Sequence, residues 1–286
     1  MKTADITNPL FLQAVNALDV GNIDELQKLV TDHPRLVKER LKTPGEEGYF
    51  KDPYLLWFIA DNPIRNFKLP PNIVAVTGFL IDAVKQEAPE TYLQQIEYAL
   101  GLVVTGRIPR ECGVQIALMD LLIDAGATPG SGVGAVAHGN MEAANHLIER
   151  GGKLTLPVAI CLNRMADINR LLSAANASER LLALTASAFY GKVDMIRHLL
   201  DMGVNPNGYP NNGTGFHSHA TPLHQAVYSG SLDAVKLLVA AGARLDMTDK
   251  VYNGTPLGWA IYMQTETDNE VLRANYAVIE KYLRAI

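Results

Sequence analysis

The chain has 286 residues, of which 48% are hydrophobic and 19% are charged. This composition can bury a large apolar core, so it excludes an intrinsically disordered chain. The 25 Lys and Arg residues are outnumbered by 30 Asp and Glu residues, and the net charge of −5 leaves no overall positive field for phosphate groups, so we expect no nucleic-acid partner.

The N-terminal part of the sequence predicts helix pairs that are separated by insertions. One pair lies on either side of Gly21, and Asn22 and Glu25 have the spacing of a capping box at the start of its second helix. Two more pairs are predicted around residues 54–86 and 92–126, and each closes with an apolar helix. Because neither helix of such a pair is long enough to bury its own apolar face, the pairs must stack on their neighbours.

More regular pairs are predicted in the centre of the chain. Residues 135–152 and 186–203 each combine a short apolar segment, a central glycine and an amphipathic segment that ends in glycine, and residues 157–172 are a degenerate copy. The spacing between the closing glycines varies, which predicts connections of unequal length. Residues 204–220 form the longest of these connections, and a loop of that length in a compact protein is usually functional or disordered.

The C-terminal part carries the clearest repeat. The segment Thr221-Pro-Leu-His-Gln-Ala226 has an N-cap residue followed by proline, and Gly230 supplies the turn to a second amphipathic helix. The segment Thr255-Pro-Leu-Gly-Trp-Ala260 then begins the same pattern again. These residues resemble the ankyrin repeat, whose signature reads T-P-L-H-x-A.

The resemblance implies an all-α fold, an ankyrin-type α-solenoid of about eight stacked helix pairs with short, unequal hairpin fingers. We expect a single solenoid domain over residues 1–286. Within it, residues 1–127 are divergent N-terminal repeats with insertions, and residues 128–253 are more regular repeats with an enlarged finger at 204–220. Residues 254–286 are expected to form a C-terminal capping repeat.

The last helix is predicted over residues 271–286. Its apolar stripe consists of Leu272, Tyr276, Ile279, Leu283 and Ile286. Thr267 and Glu270 have the spacing of a capping box, which predicts that the helix begins with Thr267 as its N-cap.

Three of the seven histidines, His217, His219 and His224, lie within eight residues of one another. If His217 and His219 alternate as in an extended strand, both imidazoles face one side, where they could contact a ligand or a metal. No complete metal motif accompanies the pair, so we expect no metal site, with His217 and His219 as the weak alternative. The resemblance to the ankyrin repeat implies instead that His224 is an internal hydrogen-bonding residue.

A binding surface is expected on the concave side of the stack, where the first helices and the fingers lie. In the ankyrin repeat the two positions before the inter-helix glycine point into this groove, and the corresponding residues here become aromatic towards the C-terminus. Together with the long finger they give the predicted partner-binding set: His138, Phe189, Tyr190, Tyr209, Phe216, His217, His219, Tyr228, Ser229 and Tyr262.

Two main functions are compatible with this pattern. The first is a non-catalytic binding module that presents its concave surface to a protein or peptide partner, with no catalytic residues and no cofactor. The alternative is an enzyme, or a protein that binds a small molecule or a metal, with the His217/His219 finger lying over the groove. A structural linker within a larger assembly is a third possibility.

The remaining features are less specific. The N-terminal insertions contain Arg65, Lys68, Arg107 and Arg110, and a solvated basic loop is expected there rather than a second contact area. Cys112 and Cys161 have no metal-binding spacing and fit a reducing compartment. The sequence has no apolar signal segment and no stretch long enough to span a membrane, so we expect a cytoplasmic location and no membrane partner.

Overall fold

The computed structural model describes residues 5–45, 47–210 and 215–286, and its regular elements are all helices. The predicted all-α fold is therefore confirmed. By its internal contacts the chain divides into two compact units, Met1–Lys153 and Leu154–Ile286, which we call unit 1 and unit 2. None of the described helices combines the length and the hydrophobicity that a bilayer crossing requires.

Among its described residues, unit 1 has nine α-helices and the 3-10 helix Leu55–Ala60. In chain order they are α1 (Pro9–Val20), α2 (Ile23–Asp32), α3 (Arg35–Lys38), the 3-10 helix (Leu55–Ala60), α4 (Ile73–Glu87), α5 (Tyr92–Thr105), α6 (Arg107–Glu111), α7 (Gln115–Asp124), α8 (Val133–Ala137) and α9 (Met141–Glu149).

Four helix pairs make up unit 1: α1 with α2, the 3-10 helix with α4, α5 with α7, and α8 with α9. The first members of successive pairs contact each other, as do the second members, so the pairs stack in the order of the sequence. Asn22 is the N-cap of α2, because its side chain accepts a hydrogen bond from the backbone N–H of Glu25. The reciprocal bond of the predicted capping box is replaced, since the Glu25 carboxylate accepts from the side-chain amide of Asn22 and not from its backbone N–H.

The insertion after the 3-10 helix is not a solvated basic loop, which corrects the expectation for Arg65. The Arg65 side chain is 2% exposed and donates two hydrogen bonds of 2.9 Å to the carboxylate of Asp19. Asp61, also buried, accepts hydrogen bonds from the backbone N–H groups that follow it, including that of Arg65. A buried guanidinium requires such paired acceptors. Arg107, in contrast, is half exposed in its ion pair with Glu111.

The described residues of unit 2 form eight α-helices: α10 (Leu156–Cys161), α11 (Met165–Ala174), α12 (Ala177–Phe189), α13 (Val193–Asp201), α14 (Pro222–Tyr228), α15 (Leu232–Ala240), α16 (Pro256–Glu266) and α17 (Glu270–Arg284). Consecutive helices form four pairs, which bring the number of pairs in the described residues to the predicted eight. The first helices, α10, α12, α14 and α16, contact one another in turn, and so do the second helices α13, α15 and α17.

The core of unit 2 runs between these two layers of helices. It is built from short aliphatic side chains such as Ala183, Ala226 and Val235, which let the helices approach closely. Gly230 is required at the turn between α14 and α15. Its φ of 69° is left-handed, and a Cβ there would lie 3.1 Å from the Leu272 side chain.

The predicted N-cap residue of the last helix, Thr267, is wrong by two residues, although the helix begins within one residue of the predicted position. Helix α17 has Asn269 as its N-cap, whose side chain accepts a hydrogen bond from the backbone N–H of Leu272. Thr267 instead ends α16, and its hydroxyl accepts a hydrogen bond from the backbone N–H of Asn269. Both residue types cap helices well, so spacing alone could not decide between them.

Candidate functional site

The described part of unit 2 contains a cavity of about 520 Å³ that is surrounded by aromatic rings. Four of the residues predicted for partner binding line it: His217, His219, Tyr228 and Tyr262. Its other walls come from Tyr252 and Gly254 of the loop between α15 and α16, and from Gly258, Trp259 and Met263 of α16. We call this cavity the aromatic pocket.

The long finger brings His217 and His219 to the pocket, although its backbone is not an extended strand. Phe216 and His217 both have left-handed backbone conformations, with φ of 51° and 43°. The buried side chain of Gln225 stabilises this turn through two contacts with His217. Its Oε1 lies 3.2 Å from the imidazole Nδ1, and its amide donates a hydrogen bond to the His217 carbonyl oxygen. The two imidazole rings therefore converge, with their centroids 5.9 Å apart.

Phe216 is the anchor of this finger and not a contact residue. It is 1% exposed, and its ring packs edge-on against Phe189. A side chain buried to that extent cannot touch a partner directly, so Phe216 supports the pocket from behind. Residues 211–214 of the predicted finger lie outside the described residues.

A buried carboxylate, that of Asp249, organises the second loop of the pocket. It accepts hydrogen bonds from the backbone N–H groups of Val251, Tyr252 and Gly254 and from the indole N–H of Trp259. Burial opposes its ionisation, but these donors outweigh burial and lower the pKa of Asp249 to about 2. The carboxylate is therefore ionised throughout the neutral range.

The loop fits this arrangement because residue 254 is a glycine. A Cβ at that position would lie 3.0 Å from Oδ2 of Asp249 and 3.0 Å from the Trp259 ring, closer than side chains normally pack. On the other side of the carboxylate, Nε2 of His219 lies 4.0 Å from Oδ1 of Asp249, which is beyond hydrogen-bond distance. Within the described residues this buried nitrogen has no hydrogen-bond partner.

Trp259 forms the back wall of the pocket. Its ring centroid lies 5.6 Å from that of His217, 6.0 Å from that of His219 and 5.1 Å from that of His224. Trp259 therefore packs on the preceding helix pair, as its position in the repeat predicts. Tyr252 and Trp259 were not among the predicted site residues. The sequence offered one signal: Gly258 replaces the histidine of the T-P-L-H signature, so the last repeat differs from the one before it.

His224 has the predicted structural role. One ring nitrogen, Nε2, lies 3.0 Å from the carbonyl oxygen of Gly254, and Nδ1 lies 2.8 Å from the hydroxyl of Thr221. Burial lowers the pKa of His224 below its usual value of 6.5. The residue thus joins the start of α14 to the loop that forms the pocket wall, and it does not face a ligand.

The remaining predicted residues lie outside the pocket lining. Phe189 stacks on Tyr228 with ring centroids 5.1 Å apart, and Tyr190 packs against Phe189. The hydroxyl of Tyr209 donates to the carbonyl oxygen of Thr248, which ties the long finger to the next loop. The hydroxyl of Ser229 is used within its own turn, where it donates to the carbonyl oxygen of Ala226.

His138 belongs to unit 1, where it lines a separate cavity of about 520 Å³ with Tyr49, Asn62 and Tyr98. This cavity was not predicted as a site. The structure thus brings together His217, His219, Tyr228 and Tyr262 in unit 2, and it places His138 at a different concavity.

Two kinds of reactive chemistry find little support in the described residues. They contain no cluster of three or more His, Cys, Asp and Glu side chains that could hold a metal ion. Burial raises the pKa of the Cys161 thiol to about 12, so this cysteine is not a thiolate nucleophile at neutral pH.

Comparison with known proteins gives a family match for the centre of the chain. A family model for ankyrin repeats, in three copies, matches residues 133–249. Residues 133–249 are therefore similar to ankyrin repeats. A solved structure, the ankyrin repeat domain of human ASB11, matches at 16% identity and covers 96% of this chain and 98% of its own, with a TM-score of 0.34. No curated protein matches the chain.

The match to the ankyrin repeats includes the long finger and the signature segment that begins at Thr221, and it ends at Asp249. Tyr252, Trp259 and Tyr262 follow that boundary. One side of the aromatic pocket is therefore built by matched ankyrin repeats, and the other side is built by the helix pair that comes after them.

Proposed function

We propose that the protein is a non-catalytic ankyrin-repeat binding module whose aromatic pocket receives a side chain of a protein or peptide partner. Ankyrin repeats generally use their extended surfaces to bind proteins. The observation that carries the proposal is the cluster of rings around a single cavity, because aromatic side chains supply much of the binding energy at protein interfaces.

The two tyrosines at the rim support a role in binding. Tyr252 is 77% exposed and Tyr262 is 59% exposed, and both border the same cavity. Scattered exposed rings are common on protein surfaces, whereas rings that border one concavity mark an interaction site. A tyrosine also has few rotatable bonds to immobilise when a partner covers it.

The alternative, an enzyme or metal-binding protein that uses the His217/His219 finger, has weaker support. A metal site needs a third protein ligand at least, and the neighbouring Asp249 carboxylate is already occupied by four hydrogen-bond donors. A binding role needs no such further group, so it is the function that the pocket favours.

A peptide selection tests the proposed function. A library of displayed peptides is selected on the wild-type protein, and the enriched peptides are titrated by calorimetry against the wild type and the Tyr252→Ala/Tyr262→Ala double variant. We expect the double variant to bind at least about tenfold more weakly, since truncation of two aromatic residues that a partner covers costs about 1.4 kcal/mol or more.

The matched control is Phe67→Ala, which removes an exposed ring in unit 1 and should leave peptide binding unchanged. The three substituted side chains are all exposed, and circular dichroism checks that both variants are folded. Peptides that bind the double variant as tightly as the wild type would place the binding surface elsewhere. Failure to enrich any peptide, both from a library with unmodified lysines and from one whose lysines have been methylated chemically, would contradict the proposed function.

A further inference from the structure

The aromatic pocket combines π-faces with negative charge. The ring of His217 lies between those of Tyr228 and Trp259, whose centroids are 4.6 Å and 5.6 Å from its own. Tyr252 adds a further ring beside His219. The face of an aromatic ring carries negative electrostatic potential, so several such faces around one cavity attract a cation.

The charge of Asp249 strengthens this attraction from behind the rings. Its carboxylate is buried and ionised, and it accepts the indole N–H of Trp259 at 3.0 Å. A hydrogen bond to an anion polarises the donor group, which makes the indole face more negative. The negative charge therefore acts on the cavity through the ring of Trp259.

A second carboxylate, that of Glu266, lies beside the rim residue Tyr262. The nearby ammonium group of Lys250 packs on a ring outside the pocket. The negative charge of Glu266 raises the pKa of the Tyr262 hydroxyl, which also donates a hydrogen bond to the Glu266 carboxylate. The ammonium of Lys250 lies 4.1 Å from the centroid of Tyr209, a ring that does not line the pocket. The charges at the pocket thus complement a cationic occupant.

The same geometry discriminates between kinds of cation. The side chain of Asp249 is fully buried and its oxygens already accept four hydrogen bonds, so its charge reaches the cavity but its oxygens do not reach a ligand. A primary ammonium would lose hydrogen bonds to water there. An alkylated ammonium has fewer N–H groups to satisfy and presents methyl groups to the rings.

We infer that the aromatic pocket binds the alkylated ammonium group of a methylated lysine side chain on a protein partner. This inference rests on the proposed function and names the chemistry that the pocket recognises. The cavity of about 520 Å³ lies within the range of small-ligand sites, so it can hold the ammonium head and part of the aliphatic stem.

The test compares three probes on the full chain by NMR titration at pH 8, where an ordinary histidine is neutral. The probes are N-acetyl-trimethyllysine amide, its uncharged isostere in which carbon replaces the ammonium nitrogen, and N-acetyl-lysine amide. We expect the trimethylated probe to bind tighter than both others, on the order of tenfold over the isostere.

Two variants of one rim residue locate the binding. Tyr252→Ala should weaken the trimethylated probe, whereas Tyr252→Phe keeps the ring and should bind it like the wild type. Because Tyr252 is exposed and its hydrogen bond to Asp249 comes from the backbone, both substitutions leave the loop intact. Phe67→Ala in unit 1 serves as the control outside the pocket.

Each other result overturns the inference in a recognisable way. Equal binding of the isostere would mean that the pocket takes an apolar group, and equal or tighter binding of the unmethylated probe would mean that it takes a hydrogen-bonded ammonium. If no probe binds while the selected peptides do, this inference fails and the proposed function stands. If neither peptides nor probes bind, both fail.

Discussion

At the scale of single residues, the imidazole of His224 joins the start of α14 to the loop that contains Gly254. Its Nε2 lies 3.0 Å from the carbonyl oxygen of Gly254, so this nitrogen carries the proton. Nδ1 lies 3.3 Å from the backbone N–H of Thr221, which can only donate, so Nδ1 must be an acceptor. The fold therefore requires the neutral form of the ring, in agreement with the lowered pKa.

This requirement makes the stability of unit 2 depend on pH. Burial lowers the pKa of His224 in the folded state below 6.5, whereas the unfolded chain takes up the proton at the ordinary pKa. The unfolded state thus binds more protons as the pH falls below about 6.5, and the free energy of unfolding decreases towards acid. Above that pH the contribution is fully present.

The measurement is the free energy of unfolding of the wild type and of His224→Gln between pH 7.5 and pH 5.5. The difference between them cancels the other six histidines of the chain. We expect the wild type to be more stable at pH 7.5 and its advantage to shrink as the pH falls. A difference that stays constant or grows would show that His224 is not the titrating group.

At the scale of elements, the segment that follows the 3-10 helix of unit 1 is held by ionic contacts. Arg65 reaches Asp19 at the end of α1, 46 residues earlier in the chain, and its guanidinium lies 4.8 Å from the ring centroid of Phe58. The segment therefore fixes the first helix pair to the second. A neutral residue in place of Arg65 would leave the carboxylates of Asp19 and Asp61 without their cation.

We expect Arg65→Ala to destabilise unit 1 by about 3 kcal/mol or more, because it leaves buried carboxylates unpaired. Urea denaturation followed by the fluorescence of the buried Trp57 reports on this unit, in a background that carries Trp259→Phe. The matched control is Arg107→Ala, which removes an exposed ion pair and should change stability by less than about 0.5 kcal/mol. Similar effects of the two substitutions would refute the structural role of Arg65.

The same element shows what the sequence could and could not predict. Helix pairs such as α14 and α15 were predictable because apolar spacing, caps and turn glycines act over a few residues. The partner of Arg65 was not predictable, because the contact joins positions 46 residues apart and charge alone suggests exposure. In the pocket, the placing of His217 and Tyr228 on one surface could be predicted, because the repeat fixes both positions. The hydrogen bond from the Trp259 indole to Asp249 could not, because it depends on the conformation of the loop between α15 and α16.

At the scale of the whole molecule, each unit is a row of helix pairs in which a pair contacts its neighbours in the sequence. Stability in such a row is approximately a sum of the pairs and of the interfaces between them. In unit 2 the row ends at α17, whose inner face buries Tyr276, Ile279 and Leu283. Damage at this end should therefore weaken the nearest pair most.

Ile279→Ala tests this graded stability. The substitution removes buried methyl groups and should cost about 2–5 kcal/mol locally. In hydrogen exchange measured by mass spectrometry, we expect the largest loss of protection in α16 and α17, a smaller loss in α14 and α15, and the smallest in α10 and α11.

The control lies on the same helix, one residue away. Val278 is exposed, so Val278→Ala removes a similar side chain without opening the core and should leave exchange nearly unchanged. If Ile279→Ala instead lowered protection equally from α10 to α17, unit 2 would unfold as one block. The aromatic pocket, which is lined by residues of α14 and α16, would then be as stable as the entire unit. If protection is instead lost gradually along the row, the pocket opens first on the side of Trp259 and Tyr262.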